Sequence, residues 1–69
     1  MDIKSKVGAR IREVREKAGL SQKDMAYSAD LDRSYVAGVE NGQRNISIVN
    51  LEKIANSLGV SLSELFKDI

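Results

Sequence analysis

The sequence predicts an all-α fold, a compact five-helix bundle that contains a helix-turn-helix. Apolar residues recur at helical spacing along the chain, and glycine follows three of these runs where a helix would end. Proline is absent, and the chain gives no strand signal. With 69 residues the chain has room for one hydrophobic core, so we expect one domain over residues 1–69.

The first predicted helix runs from about Ser5 to Ala18. Its apolar residues lie at i, i+4, i+7 and i+11, which places Val7, Ile11, Val14 and Ala18 on one face. Gly19 follows the last of them and can take the left-handed conformation that closes a helix.

The next two helices have clear start signals. Ser21 is the predicted cap of a helix over Gln22–Ala29, and Asp32 of a helix over Arg33–Glu40 that ends at Asn41-Gly42. The connection between them is too short for antiparallel packing, so we expect the steep crossing of a helix-turn-helix. The residues expected to be buried in this unit are Met25, Ala26, Ala29, Leu31, Tyr35, Val36 and Val39.

Two further helices are predicted after a loop at residues 43–46. Ser47 is the expected cap of a helix from Ile48 to about Leu58, which Gly59 ends. Ser61 begins a last short helix, and Glu64 three residues later predicts the reciprocal bonds of a capping box. The apolar faces of these helices carry Leu51, Ile54, Ala55, Leu58, Leu62, Leu65 and Phe66.

The composition argues against catalysis. Cysteine and histidine are both absent, which removes thiol nucleophiles, the usual nitrogen and sulfur metal ligands and the commonest proton-transfer side chain. We therefore expect no catalytic residue, no metal and no cofactor. The sequence shows no signal peptide and no apolar run near the ~20 residues that span a bilayer, so we expect a cytoplasmic protein with no membrane partner.

Charge is unevenly distributed along the chain. The net charge is +1, but residues 1–20 carry six basic and three acidic side chains. A phosphate-facing edge and an ordinary solvated helix face explain this asymmetry equally well.

The outer face of the third helix is the candidate for reading bases. Arg33 can donate two hydrogen bonds to guanine, and Ser34 can bond a base edge or a phosphate. Ala37 has a small side chain, which allows the helix to lie close to the bases in the major groove. Gly38 is unfavourable inside a helix, which suggests the close approach of DNA or of another helix. A solvated surface is the competing interpretation of this face.

A second set of polar residues is suited to the sugar-phosphate backbone. Gln22 lies in the first turn of the second helix, where backbone N–H groups hold phosphates. Tyr35 is either a core aromatic or a residue at the groove edge. Ordinary helix-start and loop chemistry also explains these residue types. The full candidate set is Arg15, Gln22, Lys23, Asp32, Tyr35, Asn41, Gln43, Arg44 and Asn45.

The middle of the chain resembles the phage-repressor and Cro type of helix-turn-helix, the XRE family. The residues that carry the resemblance are Gly19-Leu20-Ser21-Gln22, Met25-Ala26, Leu31–Val36 and Val39–Gly42. It implies five helices with the third as the recognition helix, and it implies a phosphate contact for the glutamine that opens the second helix. It also implies a partly buried pair between Arg15 and Glu40 that orients the arginine toward the DNA backbone.

A narrower resemblance is to the controller proteins of type II restriction-modification systems. It rests on Leu31–Val36, Gly42–Ser47 and Asn50-Leu51. It implies a homodimer that binds double-stranded operator DNA upstream of its own gene, with RNA polymerase as a further partner if it activates. The family usually has glycine where this chain has Asp30, and aspartate tolerates the left-handed backbone that an intact turn needs.

Dimerisation is expected through the C-terminal part of the chain, because a core this small is marginal and one recognition helix reads few base pairs. The alternative is that these apolar residues complete the protomer core. Other XRE-type repressors and a protein-interaction module on the same frame are the alternative functions, and salt-sensitive binding would distinguish DNA from a protein partner. The predicted dimer residues are Ile46, Val49, Leu62, Leu65, Phe66 and Ile69.

Overall fold

Helices begin in this protein at residues whose side chains accept a hydrogen bond from the first turn. A computed structural model describes residues 2–69. Asp2, Ser21, Asp32, Ser47 and Ser61 each accept such a bond. They open five helices: α1 (Ile3–Lys17), α2 (Gln22–Ala29), α3 (Arg33–Glu40), α4 (Ile48–Leu58) and α5 (Leu62–Leu65). The all-α prediction is confirmed.

The helix ends also follow local chemistry. Gly19 and Gly59 take positive φ angles of 75° and 72° just past α1 and α4. The predicted last position of the α1 stripe was wrong, because the helix ends at Lys17 and leaves Ala18 exposed as its cap. The capping box predicted at Ser61 was half wrong. The Glu64 N–H donates to Ser61 Oγ, but among the helices of residues 2–69 both bonds of a box form only at the start of α2.

The core lies where α1 packs on α3 and α5, and α2 packs on α3 and α4. Its members come from all five helices, and five of them have no exposed surface: Ile11, Met25, Val36, Ile54 and Leu65. The other buried apolar residues are Val14, Ala26, Ala29, Val39, Leu51, Ala55 and Leu58.

Close packing of α1 on α3 depends on Gly8. A Cβ atom at this position would lie 2.2 Å from the carbonyl oxygen of Val39 and 2.7 Å from that of Glu40. A side chain would therefore push the two helices apart. Within the described residues, no helix is both long and apolar enough to cross a membrane.

Candidate nucleic-acid interface

The turn between α2 and α3 consists of the three residues Asp30–Asp32. Asp30 takes a left-handed conformation (φ 58°, ψ 46°), and the Leu31 N–H donates to the carbonyl oxygen of Ala26 over 2.9 Å. Aspartate thus occupies the backbone region that glycine more often supplies. The expectation that the turn stays intact with Asp30 is confirmed.

Asp32 and Ser34 form a linked pair at the start of α3. The Ser34 backbone N–H and hydroxyl donate to the same oxygen, Asp32 Oδ1, over 2.8 and 2.5 Å. These bonds lower the pKa of Asp32. The Ser34 hydroxyl gives its proton to the bond with Asp32. The lone pairs of its oxygen are therefore free to accept a hydrogen bond from the amino group of a cytosine or an adenine. Arg33 is exposed at the same end of the helix.

A buried ionic network joins α1, α2 and α3. Arg15 donates twice to Glu40, from Nε to Oε2 over 2.8 Å and from Nη2 to Oε1 over 3.0 Å. Its third bond, from Nη1, reaches the carbonyl oxygen of Leu20 over 2.9 Å. The bonds to Glu40 raise the pKa of Arg15, against the opposing effect of burial. Among residues 2–69, no buried side-chain nitrogen or oxygen lacks a partner.

Gln22 is the third member of that network. Its Nε2 donates to Glu40 Oε1 over 3.0 Å, so the buried carboxylate fixes the orientation of the amide. An amide nitrogen carries two N–H groups, and the second one remains for another acceptor. The first backbone N–H groups of α2 lie beside it, since the start of any helix leaves such donors unpaired. Together these groups are suited to bind an anion such as a phosphate.

The loop after α3 folds back onto that helix. The Arg44 guanidinium carbon lies 5.3 Å from the centre of the Tyr35 ring, within the range of a cation–π contact. The Tyr35 hydroxyl donates to the carbonyl oxygen of Asn45 over 3.3 Å and accepts from Asn50 Nδ2 over 3.2 Å. Tyr35 is half-buried with its ring against the core, so both of its predicted roles are compatible with its position.

Comparison with known proteins identifies the family. The helix-turn-helix family model matches residues 11–65. The control protein C.MunI of Mycoplasma sp is 54% identical over 69 residues, which is 99% of this chain and 93% of that protein. The crystal structure of the restriction-modification controller protein C.AhdI from Aeromonas hydrophila superposes with a TM-score of 0.89 at 52% identity, covering 91% of this chain and 96% of that one.

The chain belongs to the helix-turn-helix family of restriction-modification controller proteins. Both resemblances seen in the sequence are thereby confirmed. A third relative, the C.Esp1396I tetramer in complex with its natural 35-base-pair operator, has a TM-score of 0.90 at 39% identity, with 97% of this chain and 88% of that chain covered.

In this controller protein, side-chain contacts join some of the predicted DNA-contact residues into three separate groups. Asp32 pairs with Ser34 at the start of α3, Gln22 joins the Arg15–Glu40 pair, and Arg44 packs on Tyr35. The other candidates are exposed or half-buried beside these groups, with Ala37 and Gly38 on α3 itself. The exposed ones are Lys23, Arg33, Asn41, Gln43 and Asn45.

The predicted dimer residues do not all reach the surface. Val49 is 61% exposed and Ile69 46%, whereas Ile46, Leu62 and Phe66 are half-buried against the core. Leu65 was wrong as a dimer residue, because its side chain is wholly buried in the protomer and offers no surface to a partner. Ile48, which was not among the predicted dimer residues, is 65% exposed beside Val49 and lies off the buried face of α4.

Three further residues hold these elements in place but were not among the predicted site residues. Gly8 lets α1 approach α3, and Asn50 holds the Tyr35 hydroxyl. Arg10 donates from Nε to the carbonyl oxygen of Leu65 and from Nη2 to that of Glu64, each over 2.9 Å, and so binds α1 to the end of α5. The positive charge also suits the carbonyl end of a helix.

Proposed function

We propose that this controller-family protein is a sequence-specific transcription regulator that binds operator DNA as a homodimer through the major groove. As a restriction-modification controller it acts at its own promoter. One observation carries the proposal: the start of α3 is exposed and carries Arg33 and Ser34, while Glu40 at its other end is locked to α1 and α2. A rigidly held helix with polar groups at its exposed end is what base readout requires.

In this proposal the base-reading face of α3 carries Arg33, Ser34, Ala37 and Gly38, and the side chains that bond to bases are those of Arg33 and Ser34. The arginine pairs with guanine and the serine hydroxyl accepts from an amino group on the neighbouring base pair. The sugar-phosphate backbone is held by the polar residues around them. This second set comprises Arg15, Gln22, Lys23, Asp32, Tyr35, Asn41, Gln43, Arg44 and Asn45.

Dimerisation places two recognition helices about 34 Å apart, one turn of DNA, on a (pseudo)palindromic site. The exposed apolar side chains of Val49 and Ile69, with the half-buried Ile46, Leu62 and Phe66 beside them, support a C-terminal dimer face. The C.Esp1396I relative is described as a tetramer on its operator. For this chain we propose the dimer as the unit that binds one operator site.

The proposed function needs no cofactor and no catalysis, and the lack of cysteine and histidine agrees with that. Because the target is bacterial operator DNA, the proposal places the protein in the cytoplasm. Where the protein activates transcription, RNA polymerase becomes a further partner.

The test is an anisotropy titration on the DNA upstream of the protein's own gene, with scrambled DNA of equal length as the control, at two salt concentrations. Tight, salt-sensitive and cooperative binding to the native DNA alone is expected, because neutralised phosphates release counterions. Equal weak binding to both DNAs would contradict regulation at its own promoter. It would leave a repressor of another operator or a protein-interaction module, which salt-insensitive partner capture would support.

A further inference from the structure

Gly38 lies in the middle of α3, and the side chain of Arg44 lies over it. A Cβ atom built on Gly38 would lie 2.5 Å from Cγ of Arg44, 3.5 Å from its Cδ and 3.6 Å from its Cβ. All three nearest atoms belong to the aliphatic stem of one side chain. A carbon–carbon contact of 2.5 Å is well inside the optimal separation, so even alanine at this position displaces the arginine.

No neighbouring helix explains this glycine. At Gly8, by contrast, the nearest atoms are backbone atoms of Val39 and Glu40, as expected where two helices pack closely. Glycine weakens a helix interior relative to alanine. The position is therefore unfavourable for α3 itself, and the space that it leaves is filled by Arg44.

The head of Arg44 is held one turn further toward the start of α3. Its guanidinium carbon lies over the ring of Tyr35, 5.3 Å from the ring centre, while its aliphatic stem crosses Gly38. Residues 35 and 38 lie on the same face of a helix because they are three apart. The Arg44 side chain consequently lies along the surface of α3, on the face that carries residues 35 and 38.

Both the ring and the loop are fixed independently of Arg44. Asn50 on α4 donates to the Tyr35 hydroxyl, and that hydroxyl donates to the carbonyl oxygen of Asn45. On the other side of the arginine, the Gln43 N–H donates to the carbonyl oxygen of Gly38 over 2.9 Å. The loop is thus tied to α3 immediately before and immediately after Arg44.

We propose that Gly38 is a positioning residue. Its missing side chain leaves a space against α3, here called the seat, in which Arg44 lies, and a loop arginine thereby joins the DNA-contacting face of the recognition helix. The missing side chain admits Arg44 and not the DNA itself. This inference rests on the proposed function for its DNA-binding part, while the seating of the arginine stands on the geometry of the free protein.

The DNA-binding test is a double-mutant cycle on the operator with Gly38→Ala and Arg44→Ala. Each single variant should weaken binding by about tenfold, a typical loss for one good side-chain contact. In the Arg44→Ala background, Gly38→Ala should cost no more than about twofold further. Full additivity, with a second tenfold loss in the double variant, would overturn the proposal, because it would mean that DNA itself approaches Gly38.

A second cycle tests the seat without DNA. Thermal unfolding of the same four proteins is measured at one protomer concentration, since dimerisation makes Tm concentration-dependent. In the Arg44→Ala background, alanine at residue 38 should raise Tm by about 4 °C through its helix propensity. In the background with Arg44 the gain should be absent, because the stacked arginine is displaced. Equal gains in both backgrounds would overturn the seating of Arg44.

Asn56→Ala provides the matched control, since Asn56 is exposed on α4 and the change also raises helix propensity. It should raise Tm equally with and without Arg44 and leave operator binding unchanged. NMR gives a direct readout: ring-current shifts of the Arg44 methylene protons should be present in the wild type and lost in Gly38→Ala. Wild-type protein that binds no operator would overturn the proposed function, and with it the DNA part of this inference, while the unfolding cycle would still decide the seat.

Discussion

Arg15 and Glu40, 25 residues apart in the chain, form a two-point ion pair whose side chains are only 11% and 1% exposed. The same carboxylate accepts from Gln22, so one buried charge holds the end of α1, the start of α2 and the end of α3. A buried ion pair contributes little net stability compared with apolar packing, but it fixes geometry. Its role here is to set the position of α3 relative to the start of α2.

Removal of one partner of this pair should be strongly destabilising. Arg15→Met leaves Glu40 charged and buried, and breaking such a pair costs about 3–5 kcal/mol. The double variant Arg15→Met with Glu40→Leu removes both charges and should recover most of that loss. Urea denaturation of the wild type and both variants measures it.

The same pair of variants separates stability from binding. In the double variant Gln22 loses its carboxylate partner and the proposed backbone contact of Arg15 is removed, so operator affinity should stay reduced although the fold is restored. A double variant that is stable and binds the operator as tightly as the wild type would contradict the positioning role of Glu40. Gln22→Ala alone leaves the Arg15–Glu40 pair intact and should reproduce the part of the loss that comes from Gln22.

The Asp32 carboxylate should stabilise the folded protein at neutral pH and lose this effect in acid. Hydrogen bonds from Ser34 lower the pKa of Asp32 below the ordinary value of 3.8. A lowered native pKa adds stability that is present above 3.8 and is lost as the pH falls through the native value. Asp32→Asn keeps a cap but cannot titrate. The Tm difference between wild type and variant should therefore be positive at pH 7 and shrink below about pH 4, and a constant difference would contradict this.

Much of the fold follows from signals that are local in sequence. Serine and aspartate caps satisfy the first N–H groups of a helix, and glycine closes its end, so α2, α3 and α4 were predicted with correct bounds. Periodicity also indicated most of the core. It could not show that Leu65 is buried in the protomer, because an apolar stripe does not reveal whether its neighbour is the same chain or a partner.

Contacts between residues far apart in the sequence could not be predicted from local patterns. Gly8 matters only because α3 crosses it, and Arg10 matters only because α5 ends beside it. The Arg15–Glu40 pair was expected solely from the family resemblance. At Gly38 the sequence suggested the close approach of DNA or of another helix, whereas the neighbour in the structure is the side chain of Arg44, a loop residue to which no local pattern points.

Arg33 and Lys23 should differ in what they contribute to binding. Arg33→Ala should lose about 1–3 kcal/mol of discrimination at one base pair of each half-site, because a bidentate contact to guanine is removed. Lys23→Ala should weaken binding to operator and scrambled DNA alike and reduce the slope of log K against log salt by about one. Titrations over single-base operator variants and three salt concentrations measure both, and an equal loss of Arg33→Ala on all sequences would assign Arg33 to a phosphate.

Val49 and Leu65 provide the sharpest test of where the dimer face lies. Val49 is 61% exposed on α4, so Val49→Glu should leave a folded protein, disrupt an apolar interface and yield monomers that bind the operator weakly. Leu65 is wholly buried, so Leu65→Glu should unfold the protomer, because an unpaired charge in the core is very costly. Circular dichroism reports the fold and sedimentation reports the mass of each variant, with Val49→Ile as the control that keeps the surface apolar and should remain dimeric. A folded Val49→Glu dimer with unchanged affinity would place the interface elsewhere on the surface.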